Sequence, residues 1–140
     1  MKIEINNKAK YYRLGAVDKK SFSTVAKIVL KGENKESKTL SLAFVGKEEI
    51  KKLNKKFRKK NKETDVLSFE LNENECLGEI VICPEVVKDN AKKYRVTIKN
   101  EMLKMFIHGI LHLCGYDHEK SKKAEKEMEE RQNLYLSKIK

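Results

Sequence analysis

The chain lacks any long apolar run: none of its 140 residues lies in a stretch approaching the roughly 18 apolar residues that span a membrane. Its first residues, MKIEINNK, lack the apolar core of a secretory signal peptide. The three cysteines are odd in number and form no C-x-x-C pair, which is typical of reduced, buried thiols; they are Cys76, Cys83 and Cys114. These absences predict a cytoplasmic protein with no membrane partner, and the length predicts a single domain over residues 1–140.

Histidine is absent everywhere except in one window, H-G-I-L-H-L-C-G-Y-D-H, at residues 108–118. His108 and His112 are one helical turn apart, so both rings leave the same face of a helix. Gly115 favours a helix stop, because glycine tolerates the positive φ required just beyond a helix end, and the chain can then bring His118 back. Three imidazoles predict one zinc ion per chain, with nickel left open because imidazole suits both metals. Three protein ligands with an open fourth position are typical of catalytic zinc.

Apolar residues surround the first two histidines and predict a buried, metal-binding helix near the C-terminus. The polar stripe of this helix is narrow and contains Glu101, Lys104, His108 and His112. The zinc-protease pattern H-E-x-x-H requires a Glu after its first His, but Gly109 stands there, which removes most of the support for peptide hydrolysis. A helical glycine costs about 1 kcal/mol relative to alanine, and Gly109 is expected to leave open space beside the metal.

Acidic residues are absent from residues 51–62, K-K-L-N-K-K-F-R-K-K-N-K, which carry eight cations of a chain whose net charge is +11. The run near the C-terminus mixes both signs and is typical of a solvated helix surface. A patch of one sign attracts polyanions, so we expect RNA binding through Lys55, Lys56 and Lys59. A plain solvated helix face is the alternative, and a membrane surface is weaker because the segment lacks a broad apolar face.

The hydrophobic periodicity predicts the element order β-α-β-α-β-β-α-α-α, an α+β domain with a mixed four-stranded sheet and about five helices. The second helix should pack on the core through Ile50, Leu53 and Phe57, whereas the last helix has a weak apolar pattern. That pattern consists of Ala124, Met128, Leu134 and Leu136. The predicted strands are about 2–6, 40–46, 64–71 and 77–83, and the predicted helices are about 18–30, 47–59, 85–94, 98–114 and 120–137.

The histidine window closely resembles the signature of the YbeY family of bacterial rRNA maturation endoribonucleases, H-G-x-L-H-L-x-G-Y-D-H. Two further stretches resemble the family, F-R-K-K-N-K-E-T-D-V-L-S-F at 57–69 and L-G-E-I-V-I-C-P at 77–84. All three stretches occur in family order over the second half of the chain. The chain departs from the family at Glu79, where Asp is frequent, and at Glu70, where Pro is frequent.

The resemblance implies a single-strand-specific, metal-dependent endoribonuclease that acts in rRNA processing, including 3′ end maturation of small-subunit rRNA, and in ribosome quality control. It implies ribosomal or small-subunit assembly proteins as partners. It also implies zinc held by His108, His112 and His118, and it places the family's cleft arginine at Arg58.

Three residues have two interpretations each, and a fourth has one. Arg58 is either a catalytic group that presents its planar fork to the scissile phosphate or one more cation of the basic run. Asp117 either holds an imidazole N–H beside the metal or caps the terminal helix. Tyr116 either stacks on a base or packs in the core, and Glu101 is a distant candidate for a proton acceptor.

Two other functions compete with the endoribonuclease. The first is a non-catalytic ribosome-assembly protein that binds RNA and has a structural metal, which would require Cys114 or Asp117 as a fourth ligand. The second is a metal-dependent hydrolase of a small molecule or peptide. The absence of the motif Glu and the presence of the basic run argue against this second function.

Overall fold

The computed structural model describes residues 3–7, 19–73 and 75–139. The described residues form four strands and five helices in the predicted order. The strands are β1 (Ile3–Asn7), β2 (Thr39–Phe44), β3 (Val66–Glu73) and β4 (Cys76–Ile82). The helices are α1 (Lys19–Gly32), α2 (Lys47–Arg58), α3 (Pro84–Tyr94), α4 (Ile98–Leu113) and α5 (Lys122–Ser137). Of the helices described, none is long and apolar enough to cross a membrane.

The four strands form one mixed sheet in the order β1-β2-β4-β3. β1 and β4 both run parallel to β2, whereas β3 runs antiparallel to β4. The predicted antiparallel pair is therefore confirmed, as is the α+β class with a mixed sheet. β3 lies at the edge of the sheet, beside the segment that joins it to α2.

Helices cover both faces of the sheet. On one face, α1 and α4 pack on the sheet and α5 packs on these two helices, in a core that contains Phe22, Leu42, Ile80 and Phe106. On the other face, Ile50 of α2 belongs to a smaller cluster; its other buried members are Ala43, Val45, Leu67, Val81 and Cys83. α4 is the central helix, because it contacts α1, α3, α5, β3 and β4.

Both ends of α4 have defined caps. Thr97 begins the helix, and its hydroxyl accepts a hydrogen bond of 3.0 Å from the backbone N–H of Asn100. At the other end Gly115 adopts a φ of +107°, as predicted. The N–H of Gly115 donates to the carbonyl of His112, and the N–H of Tyr116 donates to the carbonyl of Leu111, both at 3.1 Å. This pair of bonds is a Schellman motif, which reverses the chain directly after the two helical histidines.

Two predictions about helix faces are wrong. Phe57 is 56% exposed and packs edge-on against Phe69 of β3, whereas the buried residues of α2 are Ile50 and Asn54. In α5, Leu134 is 41% exposed, and the buried positions are Met128, Gln132 and Tyr135. The prediction did not include Gln132 or Tyr135, because glutamine and tyrosine contribute little to an apolar pattern.

The expected open space beside Gly109 is also absent. A methyl group added there would lie 2.9 Å from Cγ2 of Ile80 and 3.2 Å from Oγ of Ser68. The hydroxyl of Ser68 donates to the carbonyl of Gly109 at 3.2 Å. The missing side chain therefore lets α4 approach the sheet closely.

Gly109→Ala should destabilise the protein. The gain in helix propensity is at most about 1 kcal/mol, whereas overpacking a core typically costs about 1–3 kcal/mol. Because Ile80 is fully buried and has no room to yield, we expect a net loss of about 1 kcal/mol in the free energy of unfolding. Urea unfolding measures this change, and a raised midpoint would contradict the close packing.

Candidate functional site

The three histidines line one cavity of about 200 Å³. His108 and His112 project from α4, and His118 follows the reversal at Gly115. The ring centroids of His108 and His118 lie 5.2 Å apart. The structure therefore brings together the three residues that the sequence predicted to be neighbours.

The opposite wall of this cavity comes from the end of α2, the segment that follows it, and β3. Arg58 lies on this wall and faces the histidines across the cavity. Among the described residues, the remaining lining side chains are Asn54, Lys60, Lys62, Thr64, Asp65, Val66, Leu67, Ser68 and Glu119. This wall is rich in cations, so the cavity combines imidazole nitrogens with positive charge.

A buried amide holds the cationic segment in place. Asn54 is 2% exposed, and its Nδ2 donates a 3.0 Å hydrogen bond to the carbonyl of Lys62. Lys59 ends α2 in the left-handed region, with a φ of 57°. Together these features fold the chain after α2 back toward the cavity. Sequence reasoning missed Asn54, because a polar residue within a basic helix carries no local signal of burial.

Hydrogen bonds define the orientation of two imidazoles. Nδ1 of His112 lies 3.1 Å from the carbonyl oxygen of Tyr116, and Nδ1 of His108 lies 2.9 Å from Oε1 of Gln132. Because these oxygens can only accept, each Nδ1 carries the proton and each Nε2 keeps its lone pair. Burial lowers the pKa of His108 and favours its neutral form. Such an outer partner on the second ring nitrogen is typical of metal-binding histidines.

Gln132 is a site residue that sequence reasoning missed. It is 6% exposed and lies on α5, which contributes no other bond to the histidines among the described contacts. The sequence of α5 carries no signal for this role, because the burial of a glutamine is visible only in the structure. Its partner lies 24 positions away, so the pairing needed the tertiary structure.

The donor atoms of the third histidine are the least satisfied. Nδ1 of His118 is buried and has no hydrogen-bond partner among the described residues. Its Nε2 lies 3.9 Å from Oε1 of Glu119. A buried ring nitrogen without a partner is costly unless a ligand or water satisfies it. The donor chemistry therefore fits a metal, although no three described His, Cys, Asp or Glu side chains already stand in a metal-holding arrangement.

Asp117 and Cys114 lie away from the histidine cavity, where both line a separate cavity beside Gly115. The carboxylate of Asp117 accepts a 3.0 Å bond from the N–H of Glu119, and Ser121 caps α5. The prediction that Asp117 caps the terminal helix is therefore wrong, and the described imidazole partners are the oxygens of Gln132 and Tyr116. Burial raises the pKa of the Cys114 thiol to about 11, which disfavours a thiolate.

Tyr116 is an anchor between helices. Its hydroxyl donates to Oε1 of Glu33 at 3.0 Å and accepts from Nε of Arg131 at 3.3 Å. The ring packs against the core cluster rather than into the histidine cavity. The structure thus favours core packing of Tyr116 over stacking on a base.

The basic run divides into two groups. Lys60 and Lys62 line the histidine cavity together with Arg58. The other five cations of the run are exposed and do not line the cavity; they are Lys51, Lys52, Lys55, Lys56 and Lys59. The latter group is thus placed to extend a positive surface outward from the cavity mouth.

An ion pair occupies the cationic wall. NH2 of Arg58 donates a 3.0 Å hydrogen bond to Oε1 of Glu119, and Nζ of Lys60 lies 3.6 Å from the same oxygen. Arg58 and Lys60 lower the pKa of Glu119, so its carboxylate stays ionised. An anion of the chain itself therefore lies against the two cations that face the histidines.

The sequence and the fold match known proteins. The chain matches the family Endoribonuclease YbeY over residues 4–140. It is 50% identical over 99 residues to Endoribonuclease YbeY of Thermotoga neapolitana, a match that covers 71% of this chain and 66% of that relative. The match to Endoribonuclease YbeY of Thermodesulfovibrio yellowstonii is 38% identical over 156 residues and covers 99% of this chain and 97% of the relative.

A solved structure has the same architecture. The solution structure of TM1509 from Thermotoga maritima is similar, with a TM-score of 0.71 and 37% sequence identity. This similarity covers 99% of the present chain and 89% of the other. In sequence, the present chain spans about two thirds of the Thermotoga relatives named Endoribonuclease YbeY.

The fold and the site define a class: a small α+β protein whose central helix and following turn present three histidines to a basic cavity. The matches to the family and to its relatives identify the chain further. It belongs to the YbeY endoribonuclease family.

Proposed function

We propose that this chain is a single-strand-specific, metal-dependent endoribonuclease that acts in rRNA processing. The observation that carries the proposal is the shared cavity of Arg58 and the three histidines. Membership of a family whose relatives are named endoribonuclease supports it. The family resemblance extends the proposal to 3′ end maturation of small-subunit rRNA, to ribosome quality control and to small-subunit assembly proteins as partners.

His108, His112 and His118 would hold one metal ion, for which we propose zinc. When bound, such an ion lowers the pKa of a water molecule or polarises a phosphate oxygen. Gln132 and the Tyr116 carbonyl keep the Nε2 atoms of two rings deprotonated and oriented for this task. The unpartnered Nδ1 of His118 shows that this third ring has capacity for a further interaction.

Arg58 would act on the phosphate. Its guanidinium can donate two parallel hydrogen bonds to a phosphate and stabilise charge that develops there. At present it donates to Glu119, so an incoming phosphate has to take the place of that carboxylate. Lys60, which shares Glu119, would contribute a second positive charge to the same phosphate.

The two competing functions have less support. A structural metal needs a fourth protein ligand, but Cys114 and Asp117 line a different cavity. A zinc-protease mechanism needs a Glu at position 109, where glycine is required for helix packing. Neither of the two fourth ligands that a structural site would require therefore lies with the histidines, which supports the catalytic alternative.

Metal content tests the ligand assignment. The purified protein should contain about one divalent ion per chain, and His112→Ala should abolish tight binding because two imidazoles remain. Elemental analysis after dialysis measures the occupancy. Gln132→Met should have an intermediate metal affinity, because it removes the hydrogen-bond partner of His108, and such a loss typically weakens metal binding about 10–100-fold. Full metal occupancy in His112→Ala would contradict the assignment of His112 as a metal ligand.

Arg58→Ala separates catalysis from binding. We expect cleavage of single-stranded RNA to slow about 10²–10³-fold, the loss typical of one preorganised donor, with a smaller effect on affinity. Arg58→Lys should recover only part of the rate, because a point charge does not reproduce the bidentate fork. Single-turnover rates and equilibrium binding measure the two effects. Equal factors for rate and affinity would reduce Arg58 to a member of the basic surface.

The exposed lysines test the RNA surface. Reversing Lys55, Lys56 and Lys59 to Glu should weaken RNA binding and flatten its dependence on salt, by about one unit of slope per lost phosphate contact. Reversing three exposed lysines of α5 supplies the matched control and should leave the slope unchanged; they are Lys122, Lys123 and Lys126. An equal response to both triple variants would indicate only a general effect of net charge.

Glu119→Gln tests whether the carboxylate competes with phosphate. The substitution removes the negative charge opposite Arg58 and Lys60 but keeps the size of the side chain. We expect tighter RNA binding, by about threefold to tenfold, and a steeper salt dependence by about one unit of slope. Fluorescence anisotropy over a salt series measures both. Weaker binding would instead show that Glu119 positions Arg58 for its substrate.

A further inference from the structure

A second cavity, of about 310 Å³, opens on the other side of the histidines. His108, His118 and Asp65 line both cavities and form the wall between them. The second cavity lies among α3, α4 and α5, and the mechanism above leaves it unused. A nucleotide whose phosphate lies against Arg58 could therefore place its base in this second cavity.

Glu101 is the distinctive residue of the second cavity. It is 2% exposed and lines the cavity, and its carboxylate interacts electrostatically with Lys104 and Asp65 but makes no hydrogen bond among the described residues. Asp65, by contrast, already accepts from Asn90 and from Thr64, both at 3.4 Å. Burial raises the pKa of Glu101. A buried carboxyl group that faces a cavity without a hydrogen-bond partner has unused hydrogen-bonding capacity, which a ligand can satisfy.

The other walls suit a flat ring. Met105 and Met128 are 9% and 1% exposed and supply an apolar, polarisable surface. Tyr94 lines the cavity from α3 and is 56% exposed, and its ring, which the Nζ of Lys93 approaches to 5.7 Å, is accessible for stacking on a base. Lys104 lies one helical turn from Glu101 on the same face of α4 and also lines the cavity.

We propose that the second cavity is a guanine-binding subsite; this inference rests on the proposed endoribonuclease function. Guanine presents one acceptor, O6, beside two donors, N1–H and N2–H. Lys104 can donate to the acceptor, and the two oxygens of Glu101 can accept from the adjacent donors. Unpaired RNA exposes this edge, whereas a duplex conceals it.

The other bases match this pair of side chains less well. Uracil has a single N–H on the same edge, so one carboxylate oxygen stays unpaired. Cytosine and adenine present a ring nitrogen that accepts where guanine donates, which places a lone pair against the carboxylate.

The test compares short single-stranded RNAs that differ at one base. Eight-residue oligouridines with a central G, A, C, U or inosine are titrated by fluorescence anisotropy against the full chain in chelator, which prevents metal-dependent cleavage. We expect the G oligonucleotide to bind about tenfold tighter than the U oligonucleotide, as is typical of a bidentate base contact. Inosine lacks only the N2 amino group and should lose most of this preference.

Glu101→Gln isolates the carboxylate. It should bind the G and U oligonucleotides within twofold of each other and keep the wild-type affinity for the U oligonucleotide. Glu130→Gln removes the same charge from an exposed position that lines a different cavity, and it should keep the full preference for G. An equal affinity of the wild type for all five RNAs would overturn the subsite, as would an undiminished preference in Glu101→Gln. If Glu101→Gln fails to fold, the comparison of G with inosine on the wild type decides.

Cleavage distinguishes this inference from the proposed function. Zinc-dependent cleavage of all five RNAs without any preference for G in binding removes the subsite and leaves the nuclease intact. A preference for G in binding with no cleavage of any RNA removes the nuclease and leaves the subsite. The two failures are therefore observed in separate measurements.

Discussion

The close approach of α4 to the sheet is the constraint on which the rest of the structure depends. Gly109 lies against Ile80, and its carbonyl accepts a hydrogen bond from Ser68 at 3.2 Å, so α4 brings no side chain of its own to this contact with β3 and β4. This contact determines how far His108 and His112 stand from the edge strand. Since protein interiors are densely packed, a shift of α4 would move both rings.

Backbone geometry and charge then complete the site around that helix. The Schellman turn at Gly115 reverses the chain and places His118 beside His108. Residues that follow α2 supply the facing cations, and Glu119 balances two of them. The positive charge of the cavity wall is therefore partly neutralised by Glu119, although the chain as a whole has a net charge of +11. A long polyanion would meet the exposed lysines first and the cavity afterwards.

Much of the fold could be predicted, because its signals are local. The element order follows from hydrophobic period, and the turn at Gly115 follows from the conformational freedom of glycine. Prediction was wrong where an apolar side chain stays exposed or where a polar group is buried. Phe57 has an apolar side chain but is mostly exposed and packs only edge-on against Phe69, whereas Asn54 and Gln132 are polar and buried.

The sequence by itself determined the α+β order and the grouping of three histidines, since the spacing of residues along a helix and its stop are local properties. It also placed Arg58 within a cationic segment. Only the tertiary structure decided that Arg58 faces the histidines, that Gln132 orients His108, and that Glu119 pairs with Arg58. These contacts join residues 24 to 61 positions apart. Their existence depends on how the elements pack, and no local pattern encodes that packing.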